Sequence, residues 1–100
     1  MSEGDFNAAN LDEVIHGKIR LGIMAYLSAV SEASFTELKA RTEATDGNLS
    51  VHMRKLEEAG YIAVDKAFVG RRPRTTLKLT DTGRKAWLAY LDELKRLTGG

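Results

Sequence analysis

Asn48, Ser50, Val51, Arg54 and Lys55 crowd one short stretch, with Gly47 just before them and His52 among them. Asparagine matches the N6/N7 edge of adenine, arginine the O6/N7 edge of guanine, and valine the methyl of thymine. Serine and lysine suit phosphate oxygens. A glycine lets the backbone approach a phosphate at a helix N-terminus, where the helix dipole favours an anion. A second group follows. Val69-Gly70-Arg71-Arg72-Pro73-Arg74 puts three guanidiniums on one turn. Charges so close repel each other unless phosphates or a narrow minor groove supply the missing counter-charge. Pro73 stiffens the turn and lowers the ordering cost of binding. Either group alone also fits a bland reading, a solvated helix face or a charged edge that blunts aggregation of a hairpin. Together they point to a surface that reads double-stranded DNA.

The overall charge hides this. The chain has 100 residues, with 15 Lys+Arg against 14 Asp+Glu and a formal charge of +1. Residues 66–85 hold Lys66, Arg71, Arg72, Arg74, Lys78, Arg84 and Lys85 against Asp81 alone, a net +6. The remainder carries −5. A basic segment therefore rides on an acidic body, and distribution matters more than the total.

The elements that must position these residues follow from hydrophobic spacing. Residues 11–30 read as helix in one or two pieces. Leu11, Val14 and Ile15 form an apolar edge, His16-Gly17 weakens the run, and Ile19, Ile23, Tyr26, Leu27 and Val30 recur at helical spacing. Ser31–Ser34 reads as a turn. Ser34-Phe35-Thr36-Glu37 matches a capping box, opening a helix over about 35–42 with Phe35 and Leu38 inward. Asp46 or Thr45 caps a third helix to about Ala59, closed by Gly60. At about 100° per residue, Met53 and Leu56 fall within about 40° of Leu49, which anchors this helix on the core. The opposite face carries Gly47, Val51, Arg54 and Glu58, with His52 on the boundary. Tyr61–Phe68 reads as a strand with Ile62, Val64 and Phe68 on alternate positions. Val69–Arg74 reads as a turn and Thr75–Thr80 as a second strand. Thr80 caps a last helix to about Leu97, built on Trp87, Leu91 and Leu94.

Helix, helix, helix, hairpin, helix is the order of a winged helix-turn-helix, a mainly α fold with a β-hairpin (α+β). Residues 1–10 read as a flexible arm and 11–97 as the domain. The run Thr45-Asp46-Gly47-Asn48-Leu49-Ser50-Val51-His52-Met53-Arg54-Lys55-Leu56-Glu57-Glu58-Ala59-Gly60-Tyr61 resembles the recognition helix of small winged-helix regulators related to the MarR and ArsR families. Phe68-Val69-Gly70-Arg71-Arg72-Pro73-Arg74-Thr75-Thr76 and Leu79-Thr80-Asp81-Thr82-Gly83 resemble their wing and the following helix start. The resemblance implies a sequence-specific DNA-binding regulator, usually a homodimer and more often a repressor, with helix 46–59 in the major groove. The wing at 69–74 would touch the minor groove or backbone. The MarR/ArsR likeness leaves a small-molecule effector open. Metal-sensing ArsR relatives use cysteines, and this chain has none.

The last helix carries more apolar surface than one core needs. Leu88, Tyr90 and Leu97 flank its central stripe, and Leu11, Val14, Leu21 and Ala25 give the first helix a similar excess. These residues are the expected homodimer interface. Without cysteine there are no disulfides and no thiolate metal sites. His16 and His52 have no partners at ligand spacing, no carboxylate pair stands out, and phosphate loops are absent. No enzyme activity, cofactor or metal is expected. No apolar run nears the roughly 18 residues of a membrane span, and Met1-Ser2-Glu3-Gly4-Asp5 is acidic where a signal peptide is basic. The cytoplasm is the expected location. Two competing readings stand beside DNA binding. One is a winged-helix module that binds protein, which needs no arginine-rich tip. The other is an RNA binder, which lacks an evident aromatic platform.

Overall fold

Residues 11–99 are described by a computed structural model. The expected arm, residues 1–10, lies outside them. Helix α1 spans Lys18–Ala29 and is shorter than the expected 11–30. Residues 11–16 instead turn around Asp12. Its carbonyl accepts the N–H groups of Ile15 (3.1 Å) and His16 (2.8 Å), and its carboxylate accepts that of Val14 (2.8 Å). They close a single turn, and Gly17, at φ 151° and ψ 143°, separates it from α1. They still deliver Ile15 fully into the core.

Three hydroxyls start the next three helices. Ser34 opens α2 (Phe35–Thr42) with the full capping box: its Oγ accepts the Glu37 N–H, and the Glu37 carboxylate accepts the Ser34 N–H. Thr45, rather than Asp46, caps α3 (Asp46–Glu58) by accepting the Asn48 N–H. Asp46 instead takes the first helical position, where its charge complements the dipole. Thr80 caps α4 (Asp81–Thr98) by accepting the Gly83 N–H. After α3, the N–H groups of Gly60 and Tyr61 donate to the carbonyls of Glu57 and Leu56, the Schellman pattern.

The hairpin is longer and tighter than its sequence suggests. β2 spans Ile62–Val69 and β3 spans Arg72–Leu79, antiparallel, with Val69 opposite Arg72. Only Gly70 and Arg71 form the turn, not Val69–Arg74. Gly70 sits at φ 67°, as a two-residue hairpin with glycine first requires. Arg72, Pro73 and Arg74 are therefore strand residues. A further strand, β1 (Ala33–Ser34), occupies what reads as a turn, and it pairs with Leu77 and Thr76. The sheet order is β1-β3-β2. This pairing ties the start of α2 to the root of the wing.

Ile15, Ile23, Met24, Leu27, Leu38, Leu49, Leu56 and Leu77 are fully buried and join all layers into one core. The packing departs from the sequence pattern in two places. Phe68 is exposed, because the inward face of β2 runs past the body after Val64 and leaves nothing beneath it. On α4 the buried residues are Gly83, Trp87, Tyr90 and Glu93, with Leu94 partly buried, and Leu91 is exposed. Tyr90 is stacked on Trp87 (centroids 5.9 Å apart, 11° between planes), and its hydroxyl hydrogen-bonds His16 Nδ1 at 2.9 Å. Gly83 decides this rotation. A Cβ there would stand 2.0 Å from the Tyr61 carbonyl oxygen, so α4 can press against the α3–β2 junction only through a glycine.

Candidate nucleic-acid interface

The candidate reader face is built by anchoring α3 on one side. Leu49 and Leu56 are fully buried and Met53 partly so, which fixes the rotation of the helix. Gly47, Asn48, Val51, Arg54 and Lys55 are consequently exposed, and Ser50 is half-buried. The N-terminus of α3 is held by its Thr45 cap and by an ion pair from α2, Lys39 Nζ to Asp46 Oδ1 at 2.8 Å. Both partners are well exposed, so the pair orients more than it stabilises. The turn between the two helices is made by Glu43, at φ 56°, and by buried Ala44.

His52 is placed differently from the rest. It is half-buried, and its Nδ1 is buried with no hydrogen-bond partner among the described residues. Burial first, then the charges of Arg20 and Lys55, hold its pKa below the usual imidazole value. The structure thus turns the Nδ1 edge of His52 inward, with Arg20 of α1 among the charges that act on it, and leaves the ring only partly on the outer face. Lys55 divides between two surroundings. It is exposed, but it also lines a shallow cleft with Glu13, Val14, Arg20 and Glu58 on the body side.

The wing sorts its residues by strand alternation. Arg72 and Arg74 share one face of β3 with Thr76 and Lys78, while Pro73 shares the other with Thr75 and Leu77. Arg71 sits in the turn itself. All three arginines are exposed. Arg72, Pro73, Arg74 and Val69 share a depression with Ser34 and Thr36. Arg74 also adds to the forces that keep the Glu37 carboxyl below the usual carboxylate range. The largest of these is the hydrogen bond from Tyr26. The basic strand thus runs beside the start of α2. Sequence reasoning missed Thr36 as a neighbour of this surface, and it counted Lys78 in the basic segment without placing it on this face. Alternation along β3 could have found Lys78. Thr36 has no such signal, because only the β1–β3 pairing brings the α2 N-terminus to the wing.

The residues expected at a dimer interface are dispersed. Leu88 and Leu97 are 59% and 57% exposed on α4, and Ala25 is exposed on α1. Leu11, Val14 and Leu21 are partly buried against the core of their own chain. Tyr90, at 3% exposure, is committed to that core and offers no second surface. Among the described residues there is no cluster of three or more metal-ligating side chains, and no helix is long and apolar enough to cross a membrane.

Comparison with known proteins agrees with this geometry. Residues 19–98 match the family described as the winged helix DNA-binding domain. An uncharacterized protein of Methanocaldococcus jannaschii is 34% identical over 86 residues, which is 86% of this chain and 94% of that protein. The solved structure of a transcriptional regulator homologue from Pyrococcus horikoshii superposes with a TM-score of 0.80 at 32% identity, covering 87% of this chain and 86% of that one. A MarR-family regulator from Enterococcus faecalis gives a TM-score of 0.69 at 25% identity, covering 92% and 90%. The fold extends to ArsR-family regulators as well. With the tripartite helix-turn-helix, the basic hairpin and a family match over most of its length, this chain belongs to the winged helix DNA-binding domain family.

Proposed function

We propose that this protein is a sequence-specific transcriptional regulator that binds double-stranded DNA as a homodimer and represses by occupying its site. The observation that carries the reading is the shared exposure of two groups on a rigid frame: Asn48, Val51 and Arg54 on α3, and Arg71, Arg72 and Arg74 on the wing. In this reading α3 enters the major groove. Gly47 and Ser50 approach the backbone, and Lys55 meets phosphate where the helix leaves the groove. The wing holds the minor groove or the flanking backbone. The names of its relatives, a transcriptional regulator homologue and a MarR-family regulator, support the same role.

The homodimer is supported by α4. Leu97 continues the line of Tyr90 and Leu94 beyond the body, and Leu88 and Leu91 are exposed beside Trp87. A second copy would cover this surface and place two reader helices on one face of a duplex. A protein-binding module of the same fold would have no use for three arginines on its wing.

A salt titration of duplex binding tests the reading. A dimer touching about six to ten phosphates loses ~10³–10⁵ in affinity between ~50 and ~200 mM salt. Absence of duplex binding at low salt, or affinity indifferent to salt, would overturn it.

A further inference from the structure

Among the described residues the large exposed apolar side chains fall in three places: Val51 on α3, Leu88, Leu91 and Leu97 on α4, and Phe68 with Val69 on the wing. The third group has no role yet. Phe68 is 74% exposed and Val69 60%, on the last two residues of β2 before the turn. Being adjacent on a strand, they stand on opposite faces of the hairpin. Phe68 is opposite Pro73, so one face of the tip is an apolar cross-strand pair. Val69 is opposite Arg72 on the other face, next to the Ala67–Arg74 pair. Isolated exposed apolar residues are common on protein surfaces. Two adjacent ones, one on each side of a hairpin whose turn and returning strand carry three guanidiniums, form a surface of definite chemistry.

That chemistry limits the occupant. Arg71, Arg72 and Arg74 select a dense anion; the acidic remainder of a second copy mixes 13 acidic with 8 basic side chains over eighty residues and offers no such density. Phe68 and Val69 require apolar surface beside that anion. Duplex DNA presents both together, since each phosphate of the backbone is linked to deoxyribose rings whose C–H faces form the rims of the grooves. At a rise of about 3.3 Å per residue, Val69 and Phe68 stand roughly 3 and 7 Å behind Gly70. With the turn seated at a groove, both side chains lie beside the sugars that form its rims.

We propose that Phe68 and Val69 are deoxyribose contacts, one on each face of the wing, that supply a salt-independent grip beside the salt-dependent grip of the arginines. The proposal rests on the DNA-binding reading above and adds a second force to it. Counterion release governs the arginine contacts alone, because burying an apolar side chain displaces no ions. The two forces therefore separate in a salt titration.

The test uses the full chain and a mixed-sequence linear duplex, with affinity measured across salt for wild type, Phe68→Ala, Val69→Ala, Phe68→Leu and Arg72→Ala. Both sites are too exposed for the alanine variants to disturb folding, which circular dichroism checks. Phe68→Ala should weaken binding on the order of tenfold at every salt concentration, as loss of a partly buried aromatic implies. Its log–log salt slope should match wild type. Phe68→Leu should recover most of the loss. Val69→Ala should act in the same way but less strongly. Arg72→Ala should flatten the slope by about one. If Phe68→Ala and Val69→Ala bind as wild type does, or if their losses come with a flattened slope, the sugar contacts are refuted and the DNA reading stands. If wild type binds no duplex, the DNA reading itself fails and takes this proposal with it.

Discussion

Gly83→Ala is the substitution on which the architecture bears most directly. Gly83 is buried in the first turn of α4 and faces the Tyr61 backbone. An added Cβ would lie 2.0 Å from Tyr61 O, 2.8 Å from its carbonyl carbon and 3.0 Å from its Cα. These are main-chain atoms, so no rotamer change relieves the overlap. Restoring ordinary contact needs a displacement of over an ångström between α4 and the α3–β2 junction. Two hydrogen bonds tie that joint. The Thr80 N–H donates to Tyr61 O at 3.0 Å, and Thr80 Oγ1 donates to Gly60 O at 2.6 Å.

Overpacking of this kind costs about 1–3 kcal/mol. Loss of one hydrogen bond adds about 1 kcal/mol. Better helix propensity for alanine returns about 1 kcal/mol. The net destabilisation is about 1–3 kcal/mol, a large part of the roughly 5–15 kcal/mol available to a small domain. At ~4–8 °C per kcal/mol, the melting temperature should fall by roughly 5–20 °C. Far-UV circular dichroism follows global unfolding, and Trp87 on the same helix reports the local packing by fluorescence. A variant that melts at or above the wild-type temperature would show that α4 does not seat on Tyr61 as described.

Four further outcomes follow from the same geometry. Tyr61 donates to Asp12 Oδ2, and burial first, then that bond, pushes its pKa up to about 12. Folding thus favours the neutral phenol, whose contribution is intact below pH 10 and lost as pH rises towards 12. Urea titrations should show Tyr61→Phe losing less stability over that window than wild type, and equal losses would contradict it. Ser34→Ala removes the α2 cap and should cost about 1 kcal/mol in denaturant unfolding; no change would mean that β1 alone holds the α2 start. Arg54→Ala should cost roughly 1–3 kcal/mol and relax sequence preference in a selection from random duplexes, whereas Arg72→Ala should weaken all sequences alike. Equal loss of discrimination from both would refute that division of labour. Leu88→Glu with Leu97→Glu should convert a dimer to a monomer in sedimentation at micromolar concentration, and a dimer that survives both would move the interface elsewhere.

What the sequence disclosed, and what it did not, divides along a physical line. Local chemistry was legible. The Ser34–Glu37 box, the Thr80 cap and the Gly60 termination are each complete within a few residues, and each is found in place. Whatever depends on where the body ends was not legible. Alternation along β2 continues through Phe68 although the core stops after Val64, because a period of two records a face and not what lies beneath it. The two-residue β1 has no period to detect, yet it brings Ser34 and Thr36 to the wing.

The α4 stripe shows the same division on the candidate dimer surface. Trp87, Leu91 and Leu94 and the observed Gly83, Trp87, Tyr90 and Leu94 both satisfy helical spacing. Hydropathy prefers a leucine to a tyrosine for the core, but two tertiary facts decide otherwise. Only glycine fits against Tyr61 O, which turns the Gly83 edge of α4 inward, and His16 gives the Tyr90 hydroxyl the partner that makes its burial tolerable. Burying Tyr90 rotates Leu91 outward, next to Leu88. The rotation that takes Tyr90 from the expected dimer surface thus supplies Leu91 in its place, so the apolar character of that surface survives with different residues. A Leu91→Glu variant distinguishes the two rotations. With Leu91 in the core it would unfold the chain; with Leu91 outward it leaves the monomer folded and weakens only self-association.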